Sequence, residues 1–269
     1  MMLGVSFIRR TPIDAKGAMP ETIFDNAKRI LLATVLTSLC WALPGCQSIT
    51  PTTTYAEIRF IDASYNAGGI DIYEGTSAII YNMGFTQVSS YVPISPGSYR
   101  FSAHSAGSSQ TLVSTTGSVS TDKQYTVMIS NTTTAGLQET VFTDQSQAAP
   151  GGQIAVRVIN EATQSGPYDV YMVPSGTPLI DVTPVLTDVV FNTITGYIDV
   201  PTGSYSVVIV PAGTVLTTTT VATYTSSVTA YTGGSAHSFI ILDQQIITTP
   251  GAQIITTDDY EPPGSVAAN

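Results

Sequence analysis

Two histidines, two cysteines, 19 carboxylates and nine Lys or Arg are the strongly ionisable or metal-binding side chains of this 269-residue sequence. His104 falls on the polar side of the alternation Tyr99-Arg100-Phe101-Ser102-Ala103-His104, and His237 follows Gly233-Gly234 where a strand would begin. Zinc needs several Cys, His or carboxylate ligands at short spacing, and neither histidine has a second His or Cys close by. No Gly-x-Ser-x-Gly elbow presents a serine nucleophile, so a Ser–His–Asp set would have to assemble across loops. Asp62 and Asp71 could in principle serve a glycosidase as acid and base. A second copy of the segment carries Asn160 in place of Asp62, however, and Asp71 and Asp169 read as structural residues at strand edges. The acidic tail Asp258, Asp259 and Glu261 lacks the Asp-x-Asp-x-Asp-Gly spacing of a calcium loop and reads as a solvated linker. No glycine loop with a lysine is present to cradle phosphate. No catalytic residue, metal or cofactor is expected, and the chain reads as a non-enzyme.

One pair of charged residues is nevertheless repeated. Arg59 and Arg157 each stand alone between apolar neighbours, and Asp71 and Asp169 follow at the same distance. A guanidinium so placed must reach solvent or pair with a carboxylate. The expected partners are Asp71 for Arg59 and Asp169 for Arg157, each on a neighbouring strand. Tyr65, Tyr81 and Tyr91 lie near turns and are candidates to stack on sugars or grip a protein.

The elements that carry these residues are strands. Hydrophobic residues make up 43% of the chain and charged residues only 10%. That balance excludes a disordered chain, and few Lys and Arg exclude a nucleic-acid footprint. Tyr55–Asp62 aligns with Gln153–Asn160 at an offset of 98, as do Asp71 with Asp169 and Tyr73 with Tyr171. Gly97-Ser98-Tyr99 then meets Gly203-Ser204-Tyr205 at an offset of 106, which places about eight extra residues within Pro174–Thr187. Thr140–Asp144 resembles Ile254–Asp258, and a Pro-Gly pair follows each. The final residues therefore read as a linker toward a further domain. Within each copy apolar residues alternate, glycine turns recur, and Tyr125–Ile129 and Phe239–Leu242 suit central strands. The threonine-rich stretch 214–232 reads as strand, at an edge. This pattern predicts an all-β protein of two tandem Ig-like antiparallel β-sandwiches.

The amino terminus reads as an address. Ile30–Leu43 is an uncharged, mostly apolar run preceded by Lys28-Arg29. At about 1.5 Å per residue such a helix falls short of a membrane's hydrocarbon core, as a signal peptide does. The true start is open between Met1 and Met19. Leu43-Pro44-Gly45-Cys46 resembles the lipobox of bacterial lipoproteins, with Pro44 where that family usually has Ala, Ser, Thr or Val. The resemblance implies cleavage before Cys46, lipidation of its thiol, and, with Gln47 following, sorting to the outer membrane of a Gram-negative cell. Residues 46–269 hold four basic and 16 acidic side chains. A surface of that sign is repelled by anionic lipid, so lipid chains must supply the attraction.

The run Ile58-Arg59-Phe60-Ile61-Asp62-Ala63-Ser64, then Asp71-Ile72-Tyr73 and a Pro-Gly-x-Tyr turn at Pro96–Tyr99, resembles the bacterial domain of unknown function 4397. That resemblance covers Tyr55 to about Glu261. It implies tandem Ig-like sandwiches on exported lipoproteins and cell-wall proteins, and no established activity.

The expected organisation is a signal segment (1–45), a tether (46–54), a first sandwich (55–144), a linker (145–152), a second sandwich (153–258) and a tail (259–269). The function expected is that of an exported, lipid-anchored envelope protein, a structural or interaction module whose partner is an envelope protein or glycan. A glycan-binding or adhesive surface protein is the alternative, and a small envelope hydrolase stands behind both.

Overall fold

The computed structural model describes residues 55–244 and 251–262. Among these there is no α-helix, only strands and one turn of 3-10 helix at Leu179–Asp181. No helix of the described residues is long and apolar enough to cross a membrane.

The first copy contributes β1 (Ala56–Ala63), β2 (Ile70–Glu74), β3 (Ser77–Met83), β4 (Val92–Ile94), β5 (Gly97–Ser105), β6 (Thr111–Val119), β7 (Gln124–Asn131) and β8 (Leu137–Asp144). These form two four-stranded sheets, ordered β4-β1-β7-β8 and β3-β2-β5-β6. The second copy contributes β9 (Gln153–Asn160), β10 (Tyr168–Pro174), β11 (Leu186–Val189), β12 (Thr193–Ile194), β13 (Ile198–Pro201), β14 (Gly203–Pro211), β15 (Tyr224–Thr225), β16 (Thr229–Tyr231), β17 (Ala236–Asp243) and β18 (Ala252–Tyr260). Its sheets are ordered β12-β9-β17-β18, with β13 also on β9, and β11-β10-β14-β15, with β16 also on β14. The extra residues of the second copy lie between β10 and β11, where the first copy has only Gly75-Thr76 between β2 and β3.

The sheets are not purely antiparallel. β1 runs parallel to β7, and β9 runs parallel to β17. The other sheet of each sandwich is built between those two strands, so no hairpin dictates their relative direction. The threonine-rich stretch also departs from expectation. Only β15 and β16 form there, because the Thr217 and Thr220 hydroxyls turn back on local backbone and on each other. Such local bonds compete with a ladder.

Each sandwich has its own apolar core. Ile58, Phe60, Ile72, Phe101 and Val127 fill the first, and Val156, Val158, Val170, Ile209 and Phe239 the second. Residues on alternate positions of one strand face opposite ways. On β1 and β9 the residues between the core positions, the exposed Glu57 excepted, do not meet water either. Ile61, Ala63 and Met128 pack with Ile159, Ile240 and Leu242 in a third cluster drawn from both copies. The central strands β1, β7, β9 and β17 are therefore buried on both faces along nearly their whole length, polar residues included. This third core joins the two sandwiches.

Candidate functional site

Arg59 and Arg157 lie in that joint. Both are almost fully buried, and neither pairs with the aspartate expected from sequence. Arg59 binds Asp259 through Nη2, lies 3.7 Å from Asp144 and donates from Nη1 to the Asp258 carbonyl at 3.0 Å. Arg157 binds Asp144 through Nη2, lies 3.7 Å from Asp259 and donates from Nη1 to the Thr143 carbonyl at 3.0 Å. Each arginine thus reaches across to the last strand of the other copy.

The remaining donors repeat the same quasi-two-fold plan. Arg59 Nε donates to Thr126 Oγ1 at 2.8 Å, which donates to Asp144 Oδ2 at 2.6 Å. Arg157 Nε donates to Ser238 Oγ at 2.6 Å, which donates to Asp259 Oδ2 at 2.5 Å. Tyr91 and Tyr197 donate to Asp144 and Asp259, both at 2.6 Å, and each ring also lies under the guanidinium of its own copy. Two cations and two anions cancel, and the hydroxyls occupy the remaining oxygen lone pairs. That satisfaction is the condition for tolerating charge in an interior. Burial opposes the Arg59 charge, but Asp259 and Asp144 outweigh it and hold its pKa above the ordinary value. Burial first, and then the two carboxylates, push the Tyr91 hydroxyl far up, so it stays a donor.

Asp71 and Asp169 have another task. Asp71 accepts from the backbone N–H of Asn82 at 2.7 Å and of Gly107 at 2.9 Å, and Asp169 accepts from Asp188 and Gly213, both at 2.9 Å. Asn82 and Asp188 have φ of 51° and 53°, and Gly107 and Gly213 of 70° and 74°. These carboxylates tie down left-handed turns that would otherwise expose backbone donors. The two N–H groups hold Asp71 below the usual carboxylate range.

The acidic tail is likewise not a solvated linker. β18 extends through Tyr260, Asp259 is buried in the arginine cluster, and Asp258 faces His237 Nδ1 at 2.9 Å. His237 Nε2 in turn lies 2.6 Å from Ser235 Oγ, so Ser235, His237 and Asp258 form a triad in outline. Ser235 is fully buried and donates to the Thr232 carbonyl at 2.7 Å, so its hydroxyl is not offered to a substrate. His237, Asp258 and Glu261 also bring ligand-type atoms within 4.8 Å of one another, a grouping that residue spacing alone did not reveal. His104 stacks on Tyr73 at 4.3 Å and reaches the Ser102 and Thr111 hydroxyls.

Among the open grooves of the described residues, two in the first sandwich stand out as candidate sites. The first has about 540 Å³ and is lined by Asp71, Tyr73, Tyr81 and Asn82. Tyr81 is 71% exposed there, whereas Tyr65 is half-buried and Tyr91 belongs to the arginine cluster. The second has about 460 Å³, lies between β6 and β8, and is lined by Thr115, Thr116, Thr140 and Glu139. Glu139 is only 9% exposed, and no well-formed hydrogen bond reaches either carboxylate oxygen, although the Thr115 backbone N–H lies close enough to pull on the group. Burial pushes it up to about 7, against a weaker opposing pull from the Thr115 backbone N–H. Ile129 stands opposite Glu139 as Ile241 stands opposite Ile254, so the second copy places a core isoleucine where the first has this glutamate.

Residues 56–171 match the family model described as Domain of unknown function (DUF4397). The match takes in the whole first sandwich, the linker and β9, and ends in β10 at Tyr171. It therefore includes Arg59, Asp144 and Arg157 of the joint and the lining of the two grooves described above. No curated protein matches the chain. Cys46, the expected lipid anchor, lies outside the described residues.

Proposed function

We propose that this chain is an exported, lipid-anchored and non-enzymatic module of the bacterial envelope, displaying two sandwiches as one stiff body. The observation that carries this reading is the joint itself. A neutral, fully bonded four-charge cluster and a shared apolar core suit a body that holds a fixed shape rather than two beads on a string. The buried Ser235 hydroxyl fits a structural role for its triad better than a hydrolytic one. The signal-like run and Leu43-Pro44-Gly45-Cys46 support export and attachment through Cys46. Feeding cells a palmitate analogue tests the anchor. The wild-type chain should be labelled and should sediment with membranes, and Cys46→Ser should lose both properties. Unlabelled wild type would overturn the anchoring.

A glycan-binding reading is favoured by one observation, the exposed Tyr81 beside Asp71 and Asn82 in an open groove. An aromatic face beside polar groups is how proteins commonly hold a sugar ring. An envelope-polysaccharide array probed with wild type and Tyr81→Ala tests it. Saturable binding lost in the variant supports a lectin-like role, and its absence from wild type removes it.

A further inference from the structure

A buried carboxylate without a donor is costly, and proteins seldom keep one where an apolar residue would serve. The second copy shows that an apolar residue does serve, because Ile254 occupies the corresponding position within the core. Glu139 is therefore not required by the fold. Within the chain only the Thr115 backbone N–H reaches toward it, and no side chain does. Of the four cations in residues 46–269, Arg59 and Arg157 are locked in the joint, leaving Arg100 and Lys123 against 16 acidic residues. Neither lines this groove.

The strands bordering the groove are both edge strands. β8 is paired only with β7, and β6 only with β5, among the described residues. Free edges offer backbone N–H and C=O groups to an extended segment, whose alternate side chains then point into whatever lies below. Here that is a groove walled by threonine hydroxyls with one carboxylate in it, and Tyr125 is the only other ionisable side chain on its wall.

We propose that the groove between the free edges of β6 and β8 receives a lysine or arginine side chain carried on an extended polypeptide segment, with the Glu139 carboxylate as its counter-ion. This deepens the envelope-module reading by giving the partner a chemistry, a basic segment in strand conformation. Its test is independent of the anchor, since it uses purified protein and does not depend on palmitate labelling.

The full chain, purified in detergent, is titrated calorimetrically with the blocked peptide Thr-Val-Lys-Val-Thr and with the same peptide carrying norleucine for lysine. Saturable binding of the lysine peptide is expected, with none of the norleucine peptide. Glu139→Gln should weaken binding about thirtyfold or more, the usual consequence of removing one partner of a desolvated charge pair. Glu139→Ile, which copies the second sandwich, should do the same while the protein stays folded by circular dichroism. Binding should strengthen from pH 6 to pH 8 as Glu139 gives up its proton. Equal binding of both peptides, no binding of either, or unchanged affinity in Glu139→Gln overturns the proposal. So does Glu139-dependent binding of calcium chloride without binding of the lysine peptide, which would make the groove a cation site.

Discussion

Asp62→Asn should stabilise the protein above neutral pH and leave it unchanged in acid. Asp62 is fully buried at the end of β1, and one oxygen accepts from the Ser64 backbone N–H and hydroxyl. Its second oxygen has no partner, and burial raises the group to about 6 from 3.8, against those two bonds. The second copy has Asn160 here, whose Oδ1 accepts from Ala162 at 3.0 Å and whose Nδ2 donates to the Val189 carbonyl at 2.8 Å. Met83 corresponds to Val189, since it faces Ile70 as Val189 faces Tyr168. An amide at position 62 would keep the acceptor and gain a donor aimed at that carbonyl.

The sign follows from linkage. A carboxyl whose folded pKa is raised stabilises the fold only while protonated in both states, and the advantage disappears as pH rises from 3.8 to about 6. A carboxyl lifted from 3.8 to about 6 costs the fold about 3 kcal/mol once the pH is above 6. Urea denaturation of wild type and Asp62→Asn at pH 3.5, 5, 6.5 and 8 should show curves that coincide in acid and separate by about 2–3 kcal/mol at pH 8. Other titrating groups cancel in that difference. A constant difference across the series, or a less stable variant at pH 8, would mean that the buried carboxylate carries no such penalty.

Arg59→Met leaves Asp144 and Asp259 sharing one cation, and should cost about 3–5 kcal/mol in the same assay, whereas an apolar replacement of Arg59, Arg157, Asp144 and Asp259 together should recover most of it. Tyr197→Phe removes a buried donor to Asp259 and should lower stability by about 1–3 kcal/mol, read from the urea midpoint. Asp71→Ala frees the Asn82 and Gly107 amides, and hydrogen exchange at those two sites should accelerate while β1 and β7 stay protected. Because Asp62, Glu139 and Glu161 are all raised, by burial above all, to between about 6 and about 7, the melting temperature of wild type should fall as pH rises from 4 to 8. A melting temperature that rises over this range would mean that these carboxylates do not dominate.

The duplicated strand pattern was legible in sequence because alternation and glycine turns are local properties. The partners of Arg59 and Arg157 were not, because they come from the last strand of the opposite copy. A register shift hid them further. Aligning Asp144 with Asp258 looks natural in sequence, but the ladders set Glu139 opposite Ile129 and Ile254 opposite Ile241, one residue further along, and the arginine pairs make Asp259 the counterpart of Asp144. One signal was available. Tyr91 and Tyr197 share the 106-residue offset of the Gly-Ser-Tyr turns, which marks them as a repeated and therefore constrained pair. Glu139 sits on an inward position of β8, where a polar residue contradicts the pattern, so only the cavity beside it reveals its environment.

The crossed arginines carry one more consequence. Contacts related by a local two-fold are what a symmetric homodimer makes, and here both halves of such a dimer belong to a single polypeptide. In a homodimer every substitution is suffered twice; in this fused pair it is suffered once. One half can therefore keep Ile254 as ballast while the other experiments with a charge at Glu139, and the seam that holds them together is undisturbed.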